Sequence, residues 1–354
     1  MERSGLMPKT LAISIFVLGF ALLGGPAVMA AEKTIKMTVA HADAADPTQN
    51  AHAASVAFKE YVEKASNGKI MVTISPGGAL GSTASLQEMT IKGEIEASTT
   101  HTEGTIAIVY RNIQVISIPY LFHSLDQALE VLRGEYGQRL YEDLRRKTGL
   151  RTIAIWDNGG FRSFVNNVRP IRSPKDMKGL KIRTMDNPAH MELVRALGAK
   201  PTPISWSEVY TAVQTGVVDG MEAPIPIIIV GSLHEVLKYY IDDRHVYSQQ
   251  HFFVNDAWFN KLPKEYQEII LRGGEKAQYR GQQATRIYRE IGVEFLKKYM
   301  EVYFPTHDEF NMFKDASQGP VLKYIREKGV DDPKWVDEIF EAAKKADKKL
   351  GYAK

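Results

Sequence analysis

Two stretches of this sequence, about 34–99 and about 180–223, alternate short two-period apolar patterns with helical ones. The first reads TIKMTVAH as a strand, a helix over about 49–65, then GKIMVTISP as a second strand. A glycine-rich turn, GGALGS, leads into a helix over 83–92, and Gly93 introduces a third strand, EIEAST. The second stretch repeats the order: LKIRTM as a strand, a helix over 188–197, AKPTPIS as a strand, a helix over 206–214, then VVDGMEA after Gly216. Ser205 and Glu208 are spaced as a capping box for the helix at 206. Each stretch is a β-α-β-α-β unit, and IKGEIEAS and QTGVVDGM are corresponding pieces. Strands alternating with helices predict an α/β protein with parallel sheets covered on both faces.

Two long extended segments link the units. GLRTIAIWDNGGFRSFVNN, interrupted at Gly159-Gly160, precedes the second unit, and DRHVYSQQHFFVND follows it. Two extended crossings between two α/β units describe a hinge. A chain of 354 residues also exceeds one comfortable core. The expected lobes are 31–158 with about 249–288, and 159–248 with about 289–354. A helical pattern runs from Lys264 to about Met300. At ~1.5 Å per residue it reaches roughly 55 Å, so it lies across both lobes or kinks at Gly273-Gly274. The remainder reads as two or three helices.

The N-terminus carries Arg3 and Lys9, an apolar run over 11–23 and then AVMA, with small Val28 and Ala30 before Ala31. This is the pattern of a secretory signal over 1–30, cleaved near Ala30/Ala31. Its removal takes the net charge from +3 to +2, the segment carrying Glu2, Arg3 and Lys9. That charge is too small to argue for nucleic acid or a membrane surface as partner. No later stretch reaches 18 apolar residues, and PIPIII reads as a core element. The sequence has no cysteine, which excludes disulfides, thiolate catalysis and a lipidated cysteine. An exported, cysteine-free chain fits the bacterial periplasm.

The segment LKIRTMDNPAHMELVRALG puts Arg183 at the carboxyl end of a strand. A helix start follows immediately, with Asp186 or Asn187 to cap and Pro188 at the first helical position. A solvated basic residue is one reading. The other is an anion clamp, because strand ends and helix N-termini are where α/β folds hold negative groups.

The pieces MKGLKIRTMDNPAHMELVRALGAKPTPISWSEVYTAVQTGVVDGMEAP, ISPGGALGSTASLQEMTIKGEIEAS and IPYLF resemble the solute-binding subunits of tripartite ATP-independent periplasmic (TRAP) transporters, the DctP-type family. The resemblance spans essentially the whole chain after the signal. It implies a two-lobed periplasmic binding protein fold with a long helix across both lobes and no catalytic activity or cofactor. It also implies a small organic acid as ligand and membrane-embedded permease subunits as partners. A monomer is expected. The family's carboxylate-pairing arginine matches Arg183, a second basic position matches Arg162, and an aromatic wall matches Trp206. The family often has asparagine in the turn where this chain has Ala223, a loss of one amide. Positions on the other lobe match His41, Thr83 and His101, while Glu222 and Asp186 lie near the cleft. With Trp206 and Ala223, the ligand is expected to be a monocarboxylate with an apolar, aromatic or 2-oxo body. A uronate or C4-dicarboxylate is the alternative.

Three other classes stay open from the residues alone. A periplasmic enzyme would need a nucleophile elbow, a metalloprotease helix or a phosphate loop, and none of these motifs occurs. A metal protein would draw on His41, Asp43 and His101, or on His245 and His251, without the short spacings zinc ligands use. A binding protein feeding a sensor would carry the same site as one feeding a permease.

Overall fold

The fold is that of a computed structural model describing residues 34–352. The expected signal segment lies outside the described residues. The described residues form one compact unit.

The first unit follows the expected order: β1 (Ile35–Ala40), α1 (Asn50–Ala65), β2 (Ile70–Ser75), α2 (Thr83–Lys92) and β3 (Ala97–Thr102). The third strand starts at Ala97 rather than Glu94, because the intervening groups are used elsewhere. The Glu94 N–H closes the C-terminus of α2 on the Met89 carbonyl, and the Glu96 carboxylate accepts from Thr38 N at 2.7 Å. Next come α3 (Glu103–Ile106), α4 (Leu125–Arg133), α5 (Glu135–Thr148) and the 17-residue crossing strand β4 (Leu150–Asn166).

The second unit comprises β5 (Lys181–Thr184), α6 (Pro188–Ala196), β6 (Lys200–Pro203), α7 (Val209–Gln214) and β7 (Gly220–Ala223). The capping box expected at Ser205 does not form. The Glu208 N–H is already bonded to the Ser205 carbonyl at 3.0 Å, so residues 206–208 make a tight turn ahead of α7. The apolar PIPIII segment supplies α8 (Ile225–Val230). After β8 (Tyr239–Ile241), the return crossing is β9 (Val246–Asn255), buried along its whole length. The chain ends with α9 (Asp256–Lys261), α10 (Lys264–Leu296), β10 (Glu301–Tyr303), α11 (His307–Tyr324) and α12 (Lys334–Leu350).

The strands form one mixed sheet rather than separate parallel ones, in the order β2-β1-β3-β9-β4-β7-β5-β6, with β8 joining β4 to β10. Pairing is parallel within each unit and antiparallel wherever a crossing strand takes part. Each unit therefore places its first strand second from the sheet's end and its third strand against a crossing. The crossings pair from Leu150↔Asn255 to Arg162↔Val246, with a bulge between Asp157 and Gly160.

The helix α10 runs unbroken for 33 residues through Gly273-Gly274, about 50 Å at ~1.5 Å per residue. The glycines are there for close approach. A Cβ on Gly274 would lie 2.4 Å from the Ile153 carbonyl oxygen, and one on Gly273 would lie 2.7 Å from Val62 Cγ2. Near its start, Ile270 and Ala277 join Phe58, Trp156 and Phe252 in one core. At its far end, Leu296 joins Val213, Met221 and Ile228 in another. Burying each large side chain of this kind is worth about 1.5–3 kcal/mol, so α10 ties the two ends of the sheet together. A third core packs α12 on α4 and α5.

Candidate ligand-binding site

A cavity of about 560 Å³ lies where β1, β4, β5 and β7 meet. Arg183, one residue before the end of β5, is 4% exposed, yet it lines this cavity. Its Nε and Nη2 donate to the Ile204 carbonyl just after β6, at 2.9 and 2.8 Å. That fixes the guanidinium plane and leaves Nη1 free to point elsewhere. Among the described residues no carboxylate pairs with Arg183. Burial, with the nearby Arg162 charge adding to it, lowers the pKa of this guanidinium to about 10. A buried cation without a counterion is costly and unusual.

Arg162, on β4, also borders the cavity, but its charge is already balanced. Its Nε and Nη2 both bond the Glu222 carboxylate, and Nη2 donates to the Glu222 carbonyl at 2.7 Å. Burial works against both charges, yet each offsets the other's penalty: Glu222 is held well below the usual carboxylate range and Arg162 above its ordinary value. Behind this pair the network continues inward. His190 Nδ1 and His245 Nε2 lie 3.4 and 3.6 Å from the Glu222 carboxylate, and His245 Nδ1 bonds Asp243 at 2.8 Å. Burial disfavours the charge on His245, but Asp243 and Glu222 outweigh it and raise its pKa to about 9. Glu103 sits beside Ser248 and Gln249 N in the same layer, its carboxyl pushed up by burial against the pull of Arg162.

The structure thus brings together six of the residues singled out in the sequence: Arg183, Arg162, Trp206, Thr83, Ala223 and Asp186 all line the cavity. Trp206 is half-buried and braced by α8, since a Cβ on Gly231 would come within 2.9 Å of its ring. Ala223 is wholly buried at the end of β7, Thr83 opens α2, and Asp186 is exposed at the rim. Asn187 instead caps α6, accepting from Ala189 N and His190 N. Glu222 lies behind the wall, paired with Arg162. His41 is also behind it, its Nε2 3.2 Å from His52 Nδ1, with burial and then His52 lowering its pKa to about 4. The backbone of His101 is in β3, but its side chain lies outside what is described.

Sequence reasoning passed over Asn158 and Gln49 as lining groups and weighed Asp43 only as a metal ligand. Asn158, just before the glycine pair, is buried and bonded to Asn50 at 3.0 Å. Gln49 Nε2 reaches the Val230 carbonyl at 3.1 Å, joining the start of α1 to the end of α8. Asp43, two residues past His41, is 6% exposed and lines the cavity. The strand-end argument that singled out Arg183 applies equally to Asp43. Among the described residues, no group of three or more His, Cys, Asp or Glu is arranged to hold a metal ion.

An α/β fold with one sheet crossed twice by strands, and a cleft at the crossing, defines a periplasmic binding protein. Comparison with known proteins agrees. The family described as bacterial extracellular solute-binding protein, family 7 (DctP) matches residues 41–328. The C4-dicarboxylate-binding periplasmic protein DctP of Rhodobacter capsulatus is 30% identical over 298 residues, covering 80% of this chain and 88% of that protein. The sugar acid binding protein DctPAm of Advenella mimigardefordensis, solved with galactonate, is 28% identical with a TM-score of 0.82, over 89% of this chain and 99% of that one. A TRAP solute-binding protein of Anaerococcus prevotii, solved with D-glucuronate, is 25% identical with a TM-score of 0.82, over 89% and 99%. The chain belongs to this family, the DctP-type solute-binding proteins of TRAP transporters, which are not enzymes.

Proposed function

We propose that the protein captures a small organic acid in the periplasm through its carboxylate and delivers it to a membrane-embedded TRAP permease. One observation carries the reading: Arg183 is buried, lines the cavity and has no carboxylate partner among the described residues. A ligand carboxylate supplies the missing charge. The guanidinium end not engaged by the Ile204 carbonyl suits it, because a planar fork bonds a carboxylate with directed hydrogen bonds. Since Arg162 is neutralised by Glu222, the site offers one uncompensated cation among the described residues, which favours one carboxylate per ligand. The cavity volume, about 560 Å³, suits a small molecule.

For the body of the ligand, the buried polar lining of Asp43, Asn158 and Gln250 favours a hydroxylated monocarboxylate. The relatives solved with galactonate and glucuronate support that choice. The apolar, aromatic or 2-oxo body expected from Trp206 and Ala223 is the second reading, favoured by the braced Trp206 ring. The two lobes, 31–158 with about 249–288 and 159–248 with about 289–354, belong to the same proposal. They close around the acid by bending at the crossings.

Thermal-shift screening of an acid library tests the reading. A ligand at 100 times its dissociation constant adds about 2.7 kcal/mol of stability. Sugar acids should stabilise the wild type, and Arg183→Ala should lose the effect. A folded Arg183→Ala protein that binds the same acid within threefold of wild type would remove the clamp.

A further inference from the structure

The polar group in the cavity that the carboxylate clamp leaves unexplained is Asp43. Burying a carboxyl with no cation beside it is as unfavourable as burying Arg183 without an anion. Among the described residues no Lys, Arg or His forms an ion pair with Asp43, and the backbone N–H of Ala51, at the start of α1, is the polar group that favours its charged form. One N–H leaves most of the acceptor capacity of a carboxylate unused. Burial raises the Asp43 pKa to about 6, the mark of a carboxyl taken from water without a compensating cation. The other two acidic residues lining the cavity, Asp186 and Glu208, are exposed at its rim and solvated.

Position supplies the rest. Asp43 follows β1 and Arg183 lies near the end of β5, and the sheet order puts these strands on opposite sides of the β9–β4 crossings. The only cations lining the cavity among the described residues are Arg162 and Arg183, both on the side of β4 and β5. Among the described residues, a second carboxylate on the Asp43 side would meet a like charge and no counterion. A hydroxyl there would donate to Asp43. Gln49 is held beside this wall by its amide nitrogen, bonded to the Val230 carbonyl, and keeps its oxygen as a further acceptor and one N–H as a donor.

We propose that Asp43 is the specificity-determining residue of the site: it accepts a hydrogen bond from a ligand hydroxyl opposite the clamped carboxylate and excludes diacids. The inference rests on Arg183 as the carboxylate clamp. It predicts that this protein takes hydroxy acids and rejects the dicarboxylates of matching skeleton.

Calorimetry with two matched pairs tests it: galactonate against galactarate, and 4-hydroxybutyrate against succinate. Wild type should bind the hydroxy acid of a pair at least tenfold more tightly than the diacid. Asp43→Asn, which keeps the shape and removes the charge, should shrink that ratio at least tenfold. Asp43→Ser serves as a second variant, with circular dichroism confirming that both fold. A ratio unchanged within threefold in the folded variants overturns the inference, as does a wild type that prefers the diacid. In either case the clamp stands if Arg183→Ala abolishes binding of both acids. A wild type that binds neither member of either pair also overturns the inference, and the wider acid screen then judges the clamp separately.

Discussion

The first strand of each unit ends at the cavity, and the two ends carry opposite charge. After β1 comes the acid Asp43; near the end of β5 stands the base Arg183. Both are buried and neither has an ion partner among the described residues. Elsewhere in the interior, charge is paired: Arg162 with Glu222, Arg289 with Asp157, His245 with Asp243. The contrast separates two uses of buried charge. Paired groups hold the crossings and α10 together, while the unpaired groups beside the ends of β1 and β5 are the ones the proposed clamp and hydroxyl contact would use. The repeated scaffold supplies the positions, and single residues supply the sign.

The largest effect should come from breaking the comparison at its basic end. Arg183→Met keeps the volume and removes the charge. Losing one partner of a desolvated ion pair costs about 3–5 kcal/mol, so affinity for the acid should fall roughly 10²- to 10³-fold or more. The ligand-free protein should respond in the opposite sense. The pKa of Arg183 is lowered in the folded state, meaning that its charge opposes folding at neutral pH. Removing an uncompensated buried charge should therefore raise the ligand-free melting temperature, a gain of about 1–3 kcal/mol. A variant that loses both binding and stability would show that Arg183 is part of the framework and belongs with the paired class.

His245 sharpens the comparison from the paired side. Its pKa is raised to about 9 in the folded protein, against about 6.5 when unfolded. The stabilisation it contributes is fully present below about pH 6.5 and is lost as pH rises through about 9, a change of up to ~3 kcal/mol. Urea midpoints measured across that window should fall for wild type. They should stay nearly flat for His245→Asn, which cannot charge. Equal slopes in the two proteins would move the titration to other groups.

Much of this was legible in the sequence because it depended on local pattern. The helix 83–92 was expected with the bounds it has, and Arg183 stood out because a strand end followed by Asn187-Pro188 is a local signature. What was not legible depended on pairing across the chain. Nothing near Arg162 says that Glu222, sixty residues away, neutralises it. Nothing near Ser205 says that its own carbonyl satisfies the Glu208 N–H before the side chain does. The Gly273-Gly274 pair left a continuous helix and a kinked one equally open. It proved to be a contact, because the backbone of Ile153, over a hundred residues earlier, passes against it.

The smallest effect concerns the crossing strand β4, where the bulge holds Gly159 and Gly160 at φ +94° and +98°. Side-chain-bearing residues rarely adopt such angles, so alanine at either position carries strain of about 1–2 kcal/mol. The neighbours then distinguish the two. A Cβ on Gly160 would meet only Arg289 Cδ at 3.7 Å, an ordinary contact. One on Gly159 would press on Pro224 Cβ and Pro226 Cγ, both at 3.1 Å, where α8 begins just past Ala223 and the cavity wall. Gly160→Ala should thus lower stability by the strain alone and leave affinity for the acid nearly unchanged. Gly159→Ala should lose more stability and also weaken binding a few-fold, because a shift of Pro224 moves Ala223. If the two variants prove equal in both measurements, the bulge acts only as a bend and does not couple the crossing to the basic wall.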